Sequence, residues 1–332
     1  MKWLRTGLLM ALTLPLLLLS ACNNPSSDLT KVKVAEVTRS IFYAPHYVAV
    51  SEGFFAEEGL EVEITTTWGG DKTMTTLLSD GADIALVGSE TSIYVHQQGT
   101  DDPVINFAQL TQTDGTFLVS REKLTSFEWD DLKGRVFLGQ RKGGMPQMVG
   151  EYVLKKHSID PQDDLELIQN VDFGNISNAF ASGTGEFVQL FEPQATLFER
   201  EGIGHVVASF GVESGHVPYT VFMAKESYLN ENEETAQKFT NALIKAQTFV
   251  YEQPVEEVAA SIQPFFEDTE LDVIAAVIER YKEQETYDPD LILGENEWDR
   301  IQDIIEESGE LQQRIDYDIL VDTTFAERAS KN

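Results

Sequence analysis

The sequence of 332 residues contains a single cysteine, Cys22, and only five histidines. One cysteine cannot form a disulfide within the chain and excludes zinc sites built from several cysteines. The histidines are far apart in sequence, without an i,i+4 pair or an H-E-x-x-H motif, and neither a G-x-S-x-G elbow nor a phosphate-binding P-loop occurs. These absences predict a protein that is not an enzyme and that has no metal and no cofactor.

Basic residues are also scarce, with 24 Lys and Arg against 56 Asp and Glu, for a formal net charge of −32. Nucleic-acid binding requires a basic face, so nucleic acid is not an expected partner. Hydrophobic residues make up 42% of the chain, which is ordinary for a globular protein. At roughly 150 residues per domain, the length indicates about two domains.

The longest apolar run lies at the N-terminus, where Lys2 and Arg5 precede the 13 residues 7–19. A bilayer span needs about 20 residues, so this run fits a secretory signal better than a membrane helix. It ends in Leu19-Ser20-Ala21-Cys22, which resembles the lipobox of bacterial lipoproteins. We therefore expect a signal peptide over 1–21, a lipidated Cys22 with a polar tether over 22–30, and anchoring at the extracellular face of the cytoplasmic membrane. A plain secretory signal with a chance cysteine is the alternative.

From residue 31 the sequence alternates apolar or β-branched runs with helical segments, which is typical of α/β folds with parallel sheets. The predicted strands are 31–37, 60–67, 82–88, 103–110, 135–139, 165–170, 186–190 and 205–210. After residue 229 only helical spacing remains. We expect two lobes, each a helix-covered, mostly parallel sheet, with the helical tail packed on lobe 1.

Lobe 1 would comprise 31–114 and 225–330, and lobe 2 would comprise 115–224. Two crossings would then join the lobes and act as a hinge. Ligands of open α/β sheets bind outside the carboxyl ends of the strands, so the loops there should face a shared cleft.

Those loops supply the candidate ligand-binding residues. The loop after the first strand is rich in aromatic side chains, which can stack on a ring. Glycines follow Trp68, and the loop after the third strand opens a helix whose backbone N–H groups attract negative charge or carbonyl oxygens. The candidates from these first-lobe loops are Arg39, Phe42, Tyr43, His46, Trp68, Ser89, Glu90 and Thr91. Each aromatic could equally be buried in the core, and Ser89 could be a helix cap.

Three further candidates come later in the chain. Gln112 lies where the chain should cross between lobes, Arg141 precedes Gly143-Gly144 at a helix start, and Glu192 directly follows a strand. Glu192 has two interpretations: a ligand-binding carboxylate, or a cap on the helix that Pro193 opens.

Several longer strings give the chain a family resemblance. They are GFFAEEGLEVEI (53–64), LLSDGADIALVGSETS (77–92), DLKGRVFLGQRKGG (131–144), ASGTGEFVQLFEPQATLFEREG (181–202) and VDTTFAERA (321–329). In this order they resemble the substrate-binding lipoproteins of ABC importers for nitrate, sulfonates, taurine and thiamine pyrimidine precursors. The resemblance implies a type II periplasmic-binding-protein fold, a small-molecule ligand in the cleft, and an ABC permease with its ATPase as partners. It also implies ligand-binding loops at Phe42, Tyr43, Trp68, Ser89, Glu90, Gln112, Arg141 and Glu192, in a protein expected to be a monomer.

The ligand class follows from the balance of candidate charges. A sulfonate or nitrate needs several N–H donors, which Arg39, Arg141 and the helix start at Ser89 could supply. An aromatic or amine-bearing compound needs stacking rings and carboxylate acceptors, and this fits the candidates better. The rings would be Phe42, Tyr43 and Trp68, and the carboxylates Glu90 and Glu192. We therefore expect a ligand such as a thiamine pyrimidine precursor, with an alkanesulfonate, taurine or nitrate as the alternative. A secreted enzyme or a sensor on the same fold is the second alternative.

Overall fold

A computed structural model describes residues 29–331, which form two five-stranded sheets with helices packed around them. The predicted signal peptide, Cys22 and tether residues 22–28 lie outside the described residues. Thr30, expected in the tether, instead begins the first strand. The strands are β1 (Thr30–Glu36), β2 (Leu60–Thr66), β3 (Ile84–Gly88), β4 (Val104–Thr111), β5 (Thr116–Ser120), β6 (Val136–Leu138), β7 (Glu166–Ile168), β8 (Phe187–Phe191), β9 (His205–Ser209) and β10 (Thr220–Lys225).

The helices vary from single turns to the 20 residues of α10. They are α1 (Ala44–Ser51), α2 (Phe54–Glu57), α3 (Gly70–Leu78), α4 (Glu90–Gln97), α5 (Met145–Lys156), α6 (Ile176–Ala181), α7 (Gln194–Glu201), α8 (Phe210–Ser214), α9 (Glu226–Glu231), α10 (Glu233–Glu252), α11 (Val255–Ile262), α12 (Leu271–Glu283), α13 (Glu295–Glu307), α14 (Tyr317–Leu320) and α15 (Thr324–Ala329). None of these helices is both long enough and apolar enough to cross a membrane.

Both sheets are mixed, with parallel pairs and one antiparallel strand each. The first sheet has the order β2-β1-β3-β10-β4, and β10 runs antiparallel to both neighbours. The second has the order β7-β6-β8-β5-β9, with β5 antiparallel to β8 and β9. β4 is buried along its whole length, which explains why most of its residues are apolar, because helices cover this sheet on both faces. The predicted two-lobed α/β architecture is confirmed.

The predicted boundary of lobe 2 at residue 224 needs correction. Thr220 pairs with Gly88 of β3 and with Thr111 of β4, so β10 belongs to the first sheet. The chain leaves the first sheet after β4, enters the second at β5, and returns after β9 through α8. Residues 220–224 therefore lie in lobe 1, where β10 fills the gap between two strands that run the other way.

The helical tail packs mainly on the first lobe, as predicted. α10 lies against α1 and α2 and buries an apolar stripe that includes Phe239, Leu243 and Val250. α14 and α15 pack on β4. The tail also reaches the second lobe, because α13 contacts α5 and α12 contacts α7.

Residues 281–287 of the tail hold the first crossing between the lobes. The backbone N–H of Gln112 donates to the Thr286 carbonyl at 2.8 Å, and its side-chain amide donates to the Glu285 carbonyl at 2.9 Å. The Tyr281 hydroxyl donates to the Gly115 carbonyl at 2.8 Å. The helical tail therefore stabilises this crossing through hydrogen bonds.

Candidate functional site

A cavity of about 430 Å³ lies between the lobes, at the edge where the carboxyl ends of the parallel strands meet. Loops after β1, β2 and β3 line it from the first lobe, and the loops after β6 and β7 together with Phe191, the last residue of β8, line it from the second. The start of β10 completes the wall, since this antiparallel strand begins at the edge where its neighbour β3 ends. A volume of this size suits a small organic molecule.

Much of the wall is apolar or aromatic. Phe173 and Phe191 have ring centroids 5.8 Å apart, and Phe191 and Tyr219 have centroids 6.5 Å apart. Tyr43 and Tyr94 are further lining aromatics, and the large aliphatic or thioether side chains include Met74, Leu78 and Met145. Rings and thioethers on the wall offer a planar ligand both stacking and soft sulfur contacts.

Glu90, the first residue of α4, is the buried carboxyl group of this wall. It is 4% exposed, and its Oε1 accepts a hydrogen bond from the backbone N–H of Met145 at 3.1 Å, across the cleft. Its Oε2 has no hydrogen-bond partner among residues 29–331. Burial raises the pKa of Glu90 to about 7, despite the opposing backbone N–H groups of Glu90 itself and of Met145.

Gly88 makes room for this carboxyl group. A Cβ atom placed on Gly88 would lie 2.1 Å from Glu90 Oε2, well inside a normal contact. The carboxyl group is thus folded back over the end of β3, and any larger residue at position 88 would displace it.

Two exposed charges of the cavity, Arg141 and Asp71, pair with each other. The Arg141 guanidinium of the second lobe lies 3.0 Å from the Asp71 carboxylate of the first lobe, and both side chains line the cavity. Half-exposed pairs of this kind contribute little to stability, on the order of 0 to 1 kcal/mol. Because Asp71 compensates Arg141, the cavity does not present Arg141 as a free positive charge.

A second, smaller cavity of about 120 Å³ adjoins the first and shares Thr38, Gln140, Phe173 and Phe191 with it. We call the first the main cavity and the second the annex. Arg39 and Trp68 lie on its wall.

The annex wall combines a compensated charge with an exposed indole. Arg39 Nε donates to Glu36 Oε1 at 2.9 Å, so its charge too is compensated. Trp68 is 53% exposed and has a φ of +60°, a conformation that bulky residues rarely adopt. Such a conformation persists only where the surrounding structure holds it, and here it keeps the indole at the rim of the annex.

The structure brings seven of the eleven predicted ligand-binding residues to these two cavities. Tyr43, Glu90, Thr91 and Arg141 line the larger one, and Arg39, Trp68 and Glu192 line the annex. The other four, Phe42, His46, Ser89 and Gln112, line neither cavity within the described residues.

Each of these four has a structural role instead, which corrects the expectation of ligand contact. Phe42 is buried and packs on Tyr43, Phe191, Tyr219 and Tyr281. His46 is fully buried between Tyr47, Phe55 and Phe222, and burial lowers its pKa to about 3. Ser89 donates its hydroxyl to the Pro218 carbonyl, and Gln112 binds the tail at the hinge.

The contacts of Glu192 favour its interpretation as a helix cap. Its carboxylate accepts from the backbone N–H of Thr196 at 2.9 Å and from the Thr196 hydroxyl at 3.0 Å, in the first turn of α7. Arg280 Nη1 lies 2.6 Å from Glu192 Oε1. Both carboxylate oxygens are therefore occupied by protein donors, although the residue borders the annex.

Several lining residues were not among the candidates. Gln140 directly precedes Arg141, and Phe191 precedes Glu192, so the strand-end rule that selected their neighbours applied to them as well. Tyr219 had no such signal, because it precedes an antiparallel strand. Within the described part of the chain, no group of three or more His, Cys, Asp or Glu side chains is arranged to hold a metal ion.

Comparisons with known proteins agree with this geometry. A family model described as NMT1/THI5 like matches residues 41–257. The chain is 63% identical over 329 residues to YtlA of Bacillus subtilis (strain 168), named provisionally as a binding protein, and the match covers 99% of this chain and 98% of that one. It is 26% identical over 259 residues to the formylaminopyrimidine-binding protein of Halalkalibacterium halodurans, with coverage of 75% and 76%.

Among solved structures, the alkanesulfonate-binding protein SsuA from Xanthomonas axonopodis pv. citri, bound to MOPS, superposes with a TM-score of 0.72. The two chains are 15% identical, and the superposition covers 90% of this chain and 99% of that one. At this identity the likeness extends to the fold alone, and the predicted periplasmic-binding-protein fold is confirmed.

Proposed function

The chain belongs to the NMT1/THI5-like family, and from this premise we propose that it captures a small nutrient outside the cytoplasm for an ABC importer. It would hold the nutrient between its lobes, deliver it unchanged to a permease driven by an ATPase, and act as a monomer. The ligand is an aromatic, N–H-bearing compound of the aminopyrimidine class, such as a thiamine pyrimidine precursor.

The observation that carries the ligand class is the state of Glu90. A buried carboxylate oxygen without a donor, here one with no partner in the described residues, costs roughly 1 to 3 kcal/mol, and a ligand N–H would remove that cost. An anionic ligand would instead add a second negative charge beside it. The aromatic wall around Glu90 supports the same ligand class, and so does the relative that is named for binding formylaminopyrimidine.

An alkanesulfonate, taurine or nitrate is the alternative ligand. Lys142 and the backbone N–H groups at the start of α4 are the donors available to it, since Arg141 and Arg39 already pair with carboxylates. A secreted enzyme or a sensor on the same fold would use the same cleft. An enzyme would differ from a binding protein because it releases a chemically altered molecule.

Calorimetry tests the ligand class through proton exchange. At pH 7, titration with formylaminopyrimidine in buffers of different ionisation enthalpy should show release of up to about half a proton, because the ligand binds the ionised form of Glu90, whose pKa is about 7 in the empty cavity. Affinity should then rise as the pH increases through 7 and level off above it. Glu90→Gln, which does not titrate, should lose this part of the proton release.

Ethanesulfonate, an alkanesulfonate without an N–H group, serves as the comparison ligand in the same titration. Tight binding of ethanesulfonate with proton uptake, together with no heat from formylaminopyrimidine, would contradict the proposal and favour the anionic alternative.

We further propose that Cys22 carries a lipid that holds the protein at the outer face of the cytoplasmic membrane. Cys22→Ser should abolish labelling by radioactive palmitate and move the protein from the membrane fraction to the soluble fraction, since the sequence offers no other thiol for thioether attachment. Continued membrane association of the unlabelled variant would argue against a lipid anchor.

A further inference from the structure

Gln140 lies in the wall that the main cavity shares with the annex. It follows β6, is 3% exposed, and lines both cavities. A ligand that fills the main cavity and extends into the annex must therefore pass this side chain.

The orientation of the Gln140 amide is fixed by the protein. Its Nε2 donates to the Gln189 carbonyl at 2.7 Å. The opposite orientation would bring two carbonyl oxygens together, so the assignment of nitrogen and oxygen follows from the hydrogen bond. Oε1 is then left without a hydrogen-bond partner as far as residues 29–331 are concerned.

The support behind Gln140 is itself rigid. Gln189 is 1% exposed, and its side-chain amide donates to the Thr116 hydroxyl at 2.8 Å and to the Pro146 carbonyl at 2.9 Å. Gly150 allows this arrangement, because a Cβ atom there would lie 2.7 Å from Gln189 Oε1. The acceptor oxygen of Gln140 thus sits on a framework that cannot easily turn to supply a donor.

We infer that Gln140 is a specificity-determining residue, whose carbonyl oxygen accepts an N–H from the ligand where the main cavity meets the annex. This inference rests on the proposed function. Glu90 on the first lobe and Gln140 on the second each place a buried acceptor oxygen at the cavity wall. The cavity selects ligands that carry two separate N–H groups, such as a ring amine and a second amine or amide on a substituent, and it disfavours sulfonates and nitrate, whose oxygens only accept.

The test combines one variant with changes to the ligand. The probes are formylaminopyrimidine and analogues in which one N–H group at a time is replaced, NH₂ by CH₃ or NH by CH₂. Calorimetry of wild-type protein and Gln140→Met should show the parent compound at least tenfold weaker on the variant. One analogue should bind the two proteins with affinities within about twofold of each other. That analogue lacks the N–H group whose hydrogen bond Gln140 accepts. The exposed substitution Gln312→Met is the control and should change nothing.

The outcomes separate this inference from the function it rests on. If Gln140→Met leaves every affinity unchanged, or lowers the affinity for all analogues equally, Gln140 does not accept a hydrogen bond from the ligand. The inference then fails, while the proposed aminopyrimidine ligand is unaffected. If wild-type protein binds none of the probes, both the inference and the proposed ligand class fail. Should Gln140→Met melt too early for calorimetry, the wild-type series can still refute the inference. Two different analogues, each lacking one N–H group, must bind at least tenfold more weakly than the parent compound, and the inference fails if fewer than two do.

Discussion

Glu90→Gln should weaken binding of formylaminopyrimidine by about 10- to 100-fold. A hydrogen bond to a charged group contributes roughly 1.5 to 3 kcal/mol, and the substitution removes the charge while keeping the shape. The variant side chain can still accept from the Met145 N–H, so the cross-lobe contact persists. Titration calorimetry of the two proteins measures the difference, and the exposed substitution Glu122→Gln is the matched control.

The same variant should be more stable than the wild-type protein in the absence of ligand. The pKa of Glu90 is about 7 in the fold and 4.5 as the reference value, so the folded protein holds the proton more tightly than the unfolded chain. That advantage is complete below pH 4.5 and is lost as the pH rises through 7, up to about 3 kcal/mol at pH 8. Melts at pH 5 and pH 8 should therefore show that Glu90→Gln gains much more stability at the higher pH.

An anionic ligand would reverse the binding result. Ethanesulfonate, which carries a negative charge and no N–H group, should bind Glu90→Gln better than wild-type protein, because a negative charge has been removed and an N–H donor added. Loss of ethanesulfonate binding in the variant, with formylaminopyrimidine unaffected, would contradict the role assigned to Glu90.

Arg280→Met should destabilise the fold by about 3 to 5 kcal/mol, the usual cost of leaving a buried charge without its partner. Arg280 bonds Glu192 at 2.6 Å and Glu199 at 3.2 Å, and Glu192 is fully buried. Burial raises the pKa of Glu192 and Arg280 opposes that rise, so without Arg280 the loss should be greater at pH 8 than at pH 5. Urea unfolding measures it.

Two comparisons make this result specific. Arg328→Met breaks an exposed pair with Glu233 and should cost no more than about 1 kcal/mol. Glu192→Gln should lower stability while the folded protein still binds ligand, because the carboxylate caps α7. Normal stability with abolished binding in Glu192→Gln would instead restore the ligand-contact interpretation of this residue.

The sequence predicted the α/β alternation well, because strands buried under helices on both faces are mostly apolar along their length. β3 is of this kind, and so is β4 apart from its buried polar residues Asn106, Gln109 and Thr111. It did not predict β5, or the return of β10 to the first sheet. An apolar period identifies a strand but not its partner, and β10 pairs with strands more than 100 residues away.

Prediction of the site had a similar limit. The rule that ligands meet the carboxyl ends of strands selected Tyr43, Glu90 and Arg141, which do line the main cavity. It could not separate Tyr43 from Phe42, because a single turn over Ile41–Tyr43 directs one ring to the cavity and the other into the core. It also missed Tyr219, which directly precedes β10, because this antiparallel strand begins at the edge where the parallel strands end.

Competition dialysis tests the central claim most directly. Purified protein is dialysed against an equal mixture of formylaminopyrimidine, taurine and nitrate, and the compounds on both sides of the membrane are then identified by mass spectrometry. We predict that formylaminopyrimidine alone accumulates with the protein and is recovered with its mass unchanged. Accumulation of taurine or nitrate instead, or recovery of a chemically altered pyrimidine, would contradict the account.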